Sequence, residues 1–292
     1  MSSQAIGVFD SGIGGLSVLK ALRAAMPQED FIYIADSGHA PYGERDVAHV
    51  LTRSRAIVQY LVRHNVKALV IACNTATAAA IHLLRHDYPA LPLIGVEPAL
   101  KPAVALTQTG RIGVMATRST LASAKFQALL AAQSGGDTHI EFIIQPCDGL
   151  AHAIEASAET GDTAKTIALC RQYTSAMGRF GTQPGEIDTL VLGCTHYPFA
   201  SEQLRALLGP EVQLIDNGQA VARQTRRLVP AGIGLGALGV SNASTALNAL
   251  TASAASASAG QVSLFTTGQP QTLQTAAQRW LGLSERAHAL PL

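Results

Sequence analysis

Two cysteines in the sequence have the same kind of surroundings. Cys73 ends the apolar run ALVIAC and precedes two hydrogen-bonding side chains, Asn74 and Thr75. Cys194 ends the run DTLVLGC, and His196 lies two residues beyond it. A buried cysteine is often only a packing residue. Two thiols at the ends of similar runs, each followed by polar groups, instead predict a pair of reactive cysteines.

A reactive role requires that part of the thiol population is ionised. Free cysteine has a pKa of about 8.5 and is only slightly ionised at neutral pH. Lowering this pKa to about 7 requires about 2 kcal/mol of preferential stabilisation of the thiolate. Nearby hydrogen-bond donors, a charged imidazole such as that of His196, or the N-terminus of a following helix can supply it.

Two opposed thiols suit a reaction that inverts a carbon centre. One thiolate removes a proton from one face, the other thiol returns a proton to the opposite face, and the two exchange roles at each turnover. A nucleophilic mechanism would require only one cysteine. A zinc site made of Cys73, Cys194 and His196 is an alternative, but Cys-x-His spacing is poor for tetrahedral ligands. We therefore predict no metal.

Two further segments could bind a substrate. Asp10 and Ser11 end an apolar run in VFDSGIGG, whose Gly-rich turn could hold a carboxylate or phosphate through backbone N–H groups. A helix cap is the plain alternative for Asp10. The segment ADSGHAPYGERD, 35–46, follows the next apolar run and predicts either a substrate-binding loop or a solvated turn before a helix. GIGG does not match the dinucleotide-binding pattern G-x-G-x-x-G.

The elements that position these residues alternate along the chain. Nine apolar runs predict β-strands at 5–9, 31–35, 68–72, 91–96, 111–116, 140–145, 188–193, 212–216 and 262–267. Apolar residues at helical spacing predict two amphipathic helices between the early strands. Their apolar stripes are Leu16, Leu19 and Leu22 in the first helix and Val47, Val50, Leu51, Val58, Leu61 and Val62 in the second. Apolar strands alternating with helices predict parallel sheets covered on both faces, with the site beyond the carboxyl ends of the strands.

An internal repeat relates the two parts of the chain. LVIAC and LVLGC are offset by 121 residues, from 73 to 194, and the same offset takes Leu93-Ile94 onto Leu214-Ile215. IGVFDSG, 6–12, pairs more loosely with IGVMATR, 112–118. Two related units with a cysteine at the same strand end would place the thiols on opposite walls of a shared cleft.

We therefore predict two pseudo-symmetric, doubly wound α/β domains with mainly parallel sheets and an active site in the cleft between them. The first domain is discontinuous, formed by residues 1–97 and 209–292, and the second is formed by residues 98–208. Residues 231–260 are rich in Gly, Ala and Ser, which predicts a flexible segment within the first domain.

Composition excludes several classes of protein. Of the 292 residues, 48% are apolar and 14% are charged, and the net charge is +1, so neither a nucleic-acid nor a membrane partner is expected. No apolar run could span a bilayer, and the N-terminus has no leader pattern, so we expect a cytoplasmic protein. The four cysteines form no CxxC pair and are expected to be free thiols. Cys147 and Cys170 show no setting like that of the other two.

Seven segments of the chain, taken in order, resemble the glutamate racemases. They are DSGIGGLSVL, APYGERD, ACNTATAAA, GVEPALKPA, GCTHYPF, IDNGQAVAR and FTTGQP…WLG. The resemblance covers almost the whole chain, and residues 231–260 are the main departure. It implies an enzyme that interconverts L- and D-glutamate without a cofactor and supplies D-glutamate for peptidoglycan.

The resemblance also implies roles for individual residues. Cys73 would act as the base toward D-glutamate with help from Asp10, and Cys194 would act toward L-glutamate with help from His196. The segment QPCDGLAHAIE suggests Glu155 as a further acidic catalytic residue, although an aspartate at position 148 replaces the family's usual proline. The implied substrate-binding residues are Asp10, Ser11, Pro41, Tyr42, Gly43, Asn74, Thr75, Thr117, Thr195 and His196.

Other functions stay open on the sequence alone. The chemistry could act on aspartate or hydantoin, a single-cysteine lyase or decarboxylase could use the same fold, and DSGIGG could serve a non-catalytic phosphate- or nucleotide-binding module. The expected partner is a small-molecule substrate, and a homodimer is one assembly open to the protein. The chain begins nine residues before Asp10, so the N-terminal regulatory site of some family members is expected to be missing.

Overall fold

The computed structural model describes residues 4–134, 140–229 and 259–292, and its strands form two parallel sheets. The first sheet contains β1 (Ile6–Asp10), β2 (Phe31–Ala35), β3 (Ala68–Ile71), β4 (Leu93–Gly95), β9 (Val262–Thr266) and β10 (Ala287–Ala289), in the order β10-β9-β2-β1-β3-β4. The second contains β5 (Arg111–Ala116), β6 (Glu141–Pro146), β7 (Thr189–Leu192) and β8 (Gln213–Ile215), in the order β6-β5-β7-β8. Most of the predicted flexible segment, 231–260, lies outside the described residues.

Helices cover both faces of each sheet, which confirms the predicted doubly wound α/β fold. The helices are α1 (Leu16–Ala25), α2 (Val47–Arg63), α3 (Asn74–Asp87), α4 (Leu100–Leu106), α5 (Arg118–Ala122), α6 (Ala124–Ser134), α7 (Leu150–Thr160), α8 (Ala164–Met177), α9 (Ser201–Leu208), α10 (Gly218–Leu228) and α11 (Pro270–Leu281). α1, α10 and α11 pack on one face of the first sheet, and α2 and α3 on the other. α7, α8 and α9 cover one face of the second sheet, and α4 to α6 the other.

All nine predicted strands are present, and the described residues contain one further strand, β10, that was not predicted. β10 consists of Ala287, His288 and Ala289, so it has no apolar run that could have indicated it. It pairs with β9 at the edge of the first sheet, where two of its three residues are exposed. An edge strand of this kind needs little apolar sequence, because only one side of it is paired.

The predicted apolar stripe of α1 is confirmed and that of α2 is partly wrong. Leu16, Leu19 and Leu22 are fully buried. In α2, however, Val47 is 63% exposed and Val62 is 38% exposed. Val47 lies in the first turn of the helix, and Val62 lies at the margin of the stripe that faces the sheet.

The internal repeat is reproduced in the hydrogen-bonded register of the two sheets. Gly7 pairs with Leu69 in the first sheet, and the equivalent residues Gly113 and Leu190 pair in the second. The strands that follow also correspond, since β4 pairs with β3 in the same way that β8 pairs with β7. The strands β2-β1-β3-β4 of the first sheet therefore correspond in order and register to β6-β5-β7-β8 of the second, and β9 and β10 are additional strands of the first sheet.

The same equivalence extends to the residues that precede the two cysteines. Ala72 N–H donates to the Phe9 carbonyl at 2.7 Å, and Gly193 N–H donates to the Met115 carbonyl at 2.7 Å. Each hydrogen bond extends the pairing with the neighbouring strand by one residue beyond the end of β3 or β7. Both cysteines therefore lie just beyond the carboxyl end of an interior strand of their sheet, as the sequence predicted.

The chain crosses between the sheets at two places. The first crossing lies between Gly95 of β4 and Leu100 of α4, and the second lies between Ile215 of β8 and Gly218 of α10. The predicted second boundary, between residues 208 and 209, lies before β8, which pairs with β7 in the second sheet. Whether the two halves are independent domains stays a prediction.

The two halves also contact each other through α11. Trp280 of α11 stacks on Phe199, with ring centroids 3.7 Å apart and an interplanar angle of 10°. Arg279 Nη1 donates to the Ser157 carbonyl of α7 at 2.6 Å. A helix that packs on the first sheet therefore supports a helix of the second.

The close approach at Gly193 predicts a large effect of a single methyl group. In Gly193→Ala, the new Cβ would lie 2.8 Å from the Met115 carbonyl oxygen and 2.9 Å from Ala116 Cβ. Because one of these atoms is backbone, the strand end must shift, and we expect a loss of about 1–3 kcal/mol in the free energy of unfolding. Urea-induced unfolding measures this loss.

Gly7→Ala is the matched control, because it places a methyl group in a buried strand of the first sheet. Its nearest neighbours are Leu61 side-chain carbons at 3.1 and 3.3 Å, which can move. We expect Gly7→Ala to cost less than Gly193→Ala. Equal midpoints for the two variants would contradict the prediction.

Candidate active site

The carboxyl ends of the two sheets meet at one cleft, which has about 580 Å³ of empty space, part of it open to solvent. Eleven of the predicted site residues line it: Ser11, Pro41, Tyr42, Gly43, Cys73, Asn74, Thr75, Thr117, Cys194, Thr195 and His196. The cleft is also lined by Glu44, Arg118, Thr120, Cys147, Asp148, Gly149, Ala151 and His152. Asp10 and Glu155 lie behind this surface and contact residues that form it.

Cys73 is held at the N-terminus of α3. Its Sγ accepts a hydrogen bond from Ala76 N–H at 3.4 Å and donates one to Ser11 Oγ at 3.7 Å. Burial, followed by the negative charge of Asp10, raises the pKa of the Cys73 thiol well above its usual range. The donor at the helix N-terminus opposes this shift but does not overcome it. The environment of Cys73 therefore favours the neutral thiol.

Cys194 has a different environment, because an imidazole rather than a carboxyl group faces it. Cys194 Sγ lies 3.6 Å from His196 Nδ1. On the other side of the ring, His196 Nε2 donates to Glu155 Oε1 at 2.9 Å. The three side chains form a line of sulfur, imidazole and carboxylate, and the His196 and Glu155 side chains are only 7% and 21% exposed.

This line of groups favours a protonated imidazole. Burial lowers the pKa of His196, but the hydrogen bonds to Cys194 and Glu155 outweigh burial and raise that pKa well above its usual range. Burial likewise opposes ionisation of Glu155, yet the hydrogen bond to His196 lowers the pKa of this carboxyl group. The resulting imidazolium is placed to stabilise a negative charge on the Cys194 sulfur.

Asp10 is completely buried beneath the cleft. Its Oδ2 accepts hydrogen bonds from Gly15 N–H at 2.6 Å and from Thr195 Oγ1 at 3.4 Å. Its Oδ1 has no hydrogen-bond partner among the described residues. Burial raises the pKa of Asp10, and the charge of His196 partly opposes that shift. Asp10 thus connects the Cys73 side of the site to the residue that follows Cys194.

The Gly-rich turn after β1 binds the protein's own carboxylates. Gly15 N–H donates to Asp10, and Ile13 N–H donates to Glu155 Oε1 at 2.9 Å. The sequence suggested that this turn could hold a ligand carboxylate or phosphate. These two N–H groups are already occupied and are not free to do so. The turn instead fixes the two acidic side chains that stand behind the cysteines.

Neutral polar groups from both halves line the rest of the cleft. Asn74 is 5% exposed, and neither its amide nitrogen nor its amide oxygen has a hydrogen-bond partner among the described residues. Thr75 Oγ1 lies 3.3 Å from Thr117 Oγ1, which in turn donates to Thr120 Oγ1 at 2.9 Å. A buried amide without partners is costly, and a ligand with both donors and acceptors would satisfy it.

The predicted loop at residues 41–43 is held from behind by a buried ion pair. Arg53 Nε and Nη2 donate to the two carboxylate oxygens of Asp36 at 3.0 and 2.9 Å. Tyr42 Oη donates to the same carboxylate at 2.6 Å, so its hydroxyl group is already occupied. Asp36 and Arg53 were not predicted from the sequence, because no local spacing links a loop aspartate to an arginine 17 residues later in the next helix.

The comparison with known proteins agrees with this geometry. The family model for the Asp/Glu/hydantoin racemases matches residues 7–225 of the chain. The chain belongs to this family. The predicted racemase resemblance and the prediction of an isomerase acting on amino acids are thereby confirmed.

Individual relatives are similar to this racemase over most of its length. The glutamate racemase of Ralstonia nicotianae is 50% identical over 228 residues, which cover 77% of this chain and 78% of that protein. The glutamate racemase of Ectopseudomonas mendocina is 48% identical over 228 residues, which cover 78% of this chain and 83% of that protein.

Solved structures of glutamate racemases have the same fold. The Escherichia coli enzyme in complex with L-glutamate and the activator UDP-MurNAc-Ala has a TM-score of 0.76 and 29% identity, with 95% of each chain covered. The isoform RacE1 of Bacillus anthracis has a TM-score of 0.75 and 29% identity, with 100% of this chain and 99% of that chain covered.

Cys147 is the site residue of this racemase that sequence reasoning missed most clearly. It lines the cleft, although the sequence around it does not resemble that around Cys73 and Cys194. Its backbone N–H donates to the Ala116 carbonyl at 3.0 Å, just as Asp36 N–H donates to the Asp10 carbonyl at 2.9 Å. The repeat could have indicated Cys147, since it follows β6 as Asp36 follows β2.

The fourth cysteine, Cys170, does not line the cleft. Cys170 is fully buried in α8, and burial raises its pKa to about 11, so it is a core residue of this racemase. Within the described ranges, no group of three or more His, Cys, Asp and Glu side chains could hold a metal ion. None of the helices in those ranges is long and apolar enough to cross a membrane.

The contact between His196 and Glu155 predicts a measurable shift of a single pKa. In Glu155→Gln, the imidazolium loses its anionic partner, so the pKa of His196 should fall. NMR titration of the imidazole measures this change. Glu159→Gln removes an exposed carboxylate one turn farther along α7 and should leave the His196 pKa unchanged. Equal His196 pKa values in Glu155→Gln and the parent protein would refute the assignment.

The same contact predicts how stability depends on pH. Because the folded protein raises the pKa of His196 above its unfolded value of about 6.5, the proton on His196 stabilises the fold fully below that pH. This contribution is lost as the pH rises through the folded pKa. Glu155→Gln should therefore be less stable than the parent at pH 6, and the gap should narrow above the variant's lower His196 pKa.

Proposed function

We propose that the protein interconverts L- and D-glutamate by moving protons between two cysteine thiols and the substrate's α-carbon. The observation that carries this proposal is that Cys73 and Cys194 line the same cleft from equivalent strand ends of the two halves. The relatives that match over three-quarters of the chain are named glutamate racemases, which supports glutamate as the substrate. One similar structure is described as a complex with L-glutamate.

The α-proton of an amino acid is weakly acidic, so a racemase must remove it with a base and return a proton to the opposite face. Two groups on opposite walls of a cleft can do this without turning the substrate over. Each thiol must alternate between acid and base, because one turnover leaves the former base protonated and the former acid deprotonated. Effective exchange requires that neither thiol is locked in one protonation state.

The two cysteine environments favour opposite starting states. Burial and Asp10 raise the pKa of Cys73, which supports a neutral thiol as the proton donor. The charged imidazole of His196 lies beside Cys194 and supports a thiolate there as the base. In the free enzyme this arrangement is ready for the direction in which Cys194 removes the proton.

We assign Cys194 to L-glutamate and Cys73 to D-glutamate, following the family resemblance. Turnover of L-glutamate then leaves Cys73 as a thiolate and Cys194 as a thiol. Burial also raises the pKa of Asp10, which lies within hydrogen-bonding reach of Cys73 and can share a proton with it. His196 and Glu155 perform the corresponding task for Cys194. Thr195 joins the two sides through its hydrogen bond to Asp10.

Substrate binding is proposed to rest mainly on neutral groups. The unpartnered Asn74 amide can donate to a carboxylate and accept from an ammonium group. The hydroxyl groups of Thr75 and Thr117, together with the backbone of the loop at 41–43, are further ligands of the substrate. Neutral donors hold an anionic substrate without neutralising a neighbouring thiolate, which must keep its basicity.

Glutamate is favoured over the related substrates of the family. The family model covers aspartate, glutamate and hydantoin racemases, so it does not itself select one of them. The glutamate racemases of Ralstonia nicotianae and Ectopseudomonas mendocina are similar at 50% and 48% identity, and this similarity is what favours glutamate. We further propose that the D-glutamate produced supplies peptidoglycan synthesis.

Substitution of each cysteine tests the two-thiol mechanism. We expect Cys73→Ser and Cys194→Ser each to reduce racemisation of both enantiomers by at least about a thousandfold, because a hydroxyl group is a far weaker acid than a thiol. Circular dichroism of L- or D-glutamate with purified protein and no added cofactor measures the rate. Cys170→Ala, a core cysteine outside the cleft, is the control and should remain active.

Deuterium incorporation distinguishes two bases from one. In D₂O, a two-thiol enzyme should give product labelled at the α-carbon while the remaining substrate stays unlabelled at early times. A single-base enzyme would return part of the original proton to the product. Loss of activity in only one cysteine variant, or no racemisation of glutamate by the parent protein, would exclude the proposed mechanism.

The proposed biological role predicts genetic complementation. Expression of the parent protein should restore growth, without added D-glutamate, of a bacterium that cannot make this amino acid. The Cys73→Ser variant should not restore growth, and the Cys170→Ala variant should. Active purified protein that fails to complement, despite verified soluble expression, would count against a role in cell-wall synthesis.

A further inference from the structure

The charged side chains that line the cleft are distributed unevenly. In the described part of the chain, Arg118 is the one lysine or arginine among the lining residues. Glu44 and Asp148 add negative charge to the lining, and Asp10 and Glu155 lie directly behind it. The imidazolium of His196 is already paired with Glu155, so Arg118 is the lining residue whose positive charge could attract an anionic substrate to the rim.

Arg118 is held by an ion pair at the solvent-exposed rim of the cleft. Its Nη2 lies 2.6 Å from Asp148 Oδ2, and the two side chains are 68% and 53% exposed. Arg118 begins α5 directly after Thr117, whose hydroxyl belongs to the threonine cluster of the cleft. Asp148 directly follows Cys147, another lining residue.

The exposure of this pair makes it easy to exchange. Surface ion pairs contribute little to stability, because water solvates both groups and the long side chains lose conformational freedom when they pair. By contrast, the pair between Arg53 and Asp36 is buried and further hydrogen-bonded, so it is fixed. Arg118 can therefore replace one carboxylate partner by another at small cost.

The geometry of the proposed reaction indicates which substrate group would reach Arg118. The α-carbon must lie between Cys73 and Cys194, which are only 5% and 8% exposed. The α-carboxylate is bonded directly to that carbon and stays at the same depth. The side-chain carboxylate of glutamate is two methylene groups farther away, so it is the group that can extend to the rim.

We propose that Arg118 is a specificity-determining residue that binds the side-chain carboxylate of glutamate in exchange for Asp148. Asp148 then competes with the substrate for Arg118. It pairs with Arg118 in the free enzyme and pairs with it again when product leaves. This inference rests on the proposed glutamate racemisation and assigns the part of the site that recognises the distal carboxylate.

Steady-state kinetics of charge-altered variants tests this assignment. We expect Arg118→Gln to raise KM about tenfold for both L- and D-glutamate while kcat changes less than threefold. Arg118→Lys should recover part of the loss, because it keeps the charge but not the two-pronged geometry. Asp148→Asn should lower KM two- to fourfold, since it removes the competing partner.

Two controls separate this role from general electrostatics. Arg179→Gln removes an exposed arginine of the second half, which pairs with the half-buried Glu186. Neither residue lines the cleft, so this variant should leave KM unchanged. In the double variant Arg118→Gln/Asp148→Asn, KM should equal that of Arg118→Gln, because Asp148 then has no Arg118 to compete for. KM of the parent should also rise with salt more steeply than KM of Arg118→Gln.

Each outcome decides a different question. An active parent protein together with a KM for Arg118→Gln within twofold of the parent value would overturn the role of Arg118 alone. An equal rise of KM in Arg179→Gln would do the same, since the effect would then be one of net charge. A folded parent protein that does not racemise glutamate would overturn the proposed function and this inference with it.

Discussion

The site depends on giving two cysteines at equivalent strand ends neighbours of opposite charge around one cleft. Burial alone would make both neutral, because a low dielectric disfavours the thiolate. The protein places a carboxyl group beside Cys73 and a charged imidazole beside Cys194, so the two sulfurs experience charges of opposite sign. The fold supplies equivalent positions, and the neighbours of those positions supply the difference.

The internal repeat makes this division visible residue by residue. Under the offsets that superpose the two halves, Asp10 corresponds to Ala116 and His196 corresponds to Thr75. Neither charged group therefore has a charged counterpart in the other half. The backbone hydrogen bonds that extend β1 and β5 toward their neighbours are nevertheless preserved. The four corresponding strands and their register are thus shared, whereas the charged neighbours of the two sulfurs differ.

Much of the fold could be predicted because buried parallel strands require continuous apolar runs, and those runs are local in sequence. The two cysteines were likewise visible, since the repeat placed them at the same strand end. The contacts that could not be predicted join residues from distant parts of the sequence or depend on how elements pack. The line from Cys194 through His196 to Glu155 depends on how α7 docks, and the orientation of Tyr42 depends on its bond to Asp36. β10 was missed because an edge strand needs no apolar run.

The strand order of the first sheet has a consequence for how the chain is made. The strands of the second sheet are contiguous in sequence, from β5 to β8, so that half can assemble while synthesis continues. β9 lies much later in the sequence than β2 and must add to the free edge of β2, and β10 then adds to β9. Until then β2 offers an unpaired edge for association with other chains. The nascent protein therefore passes through a period in which shielding by a chaperone would be most valuable.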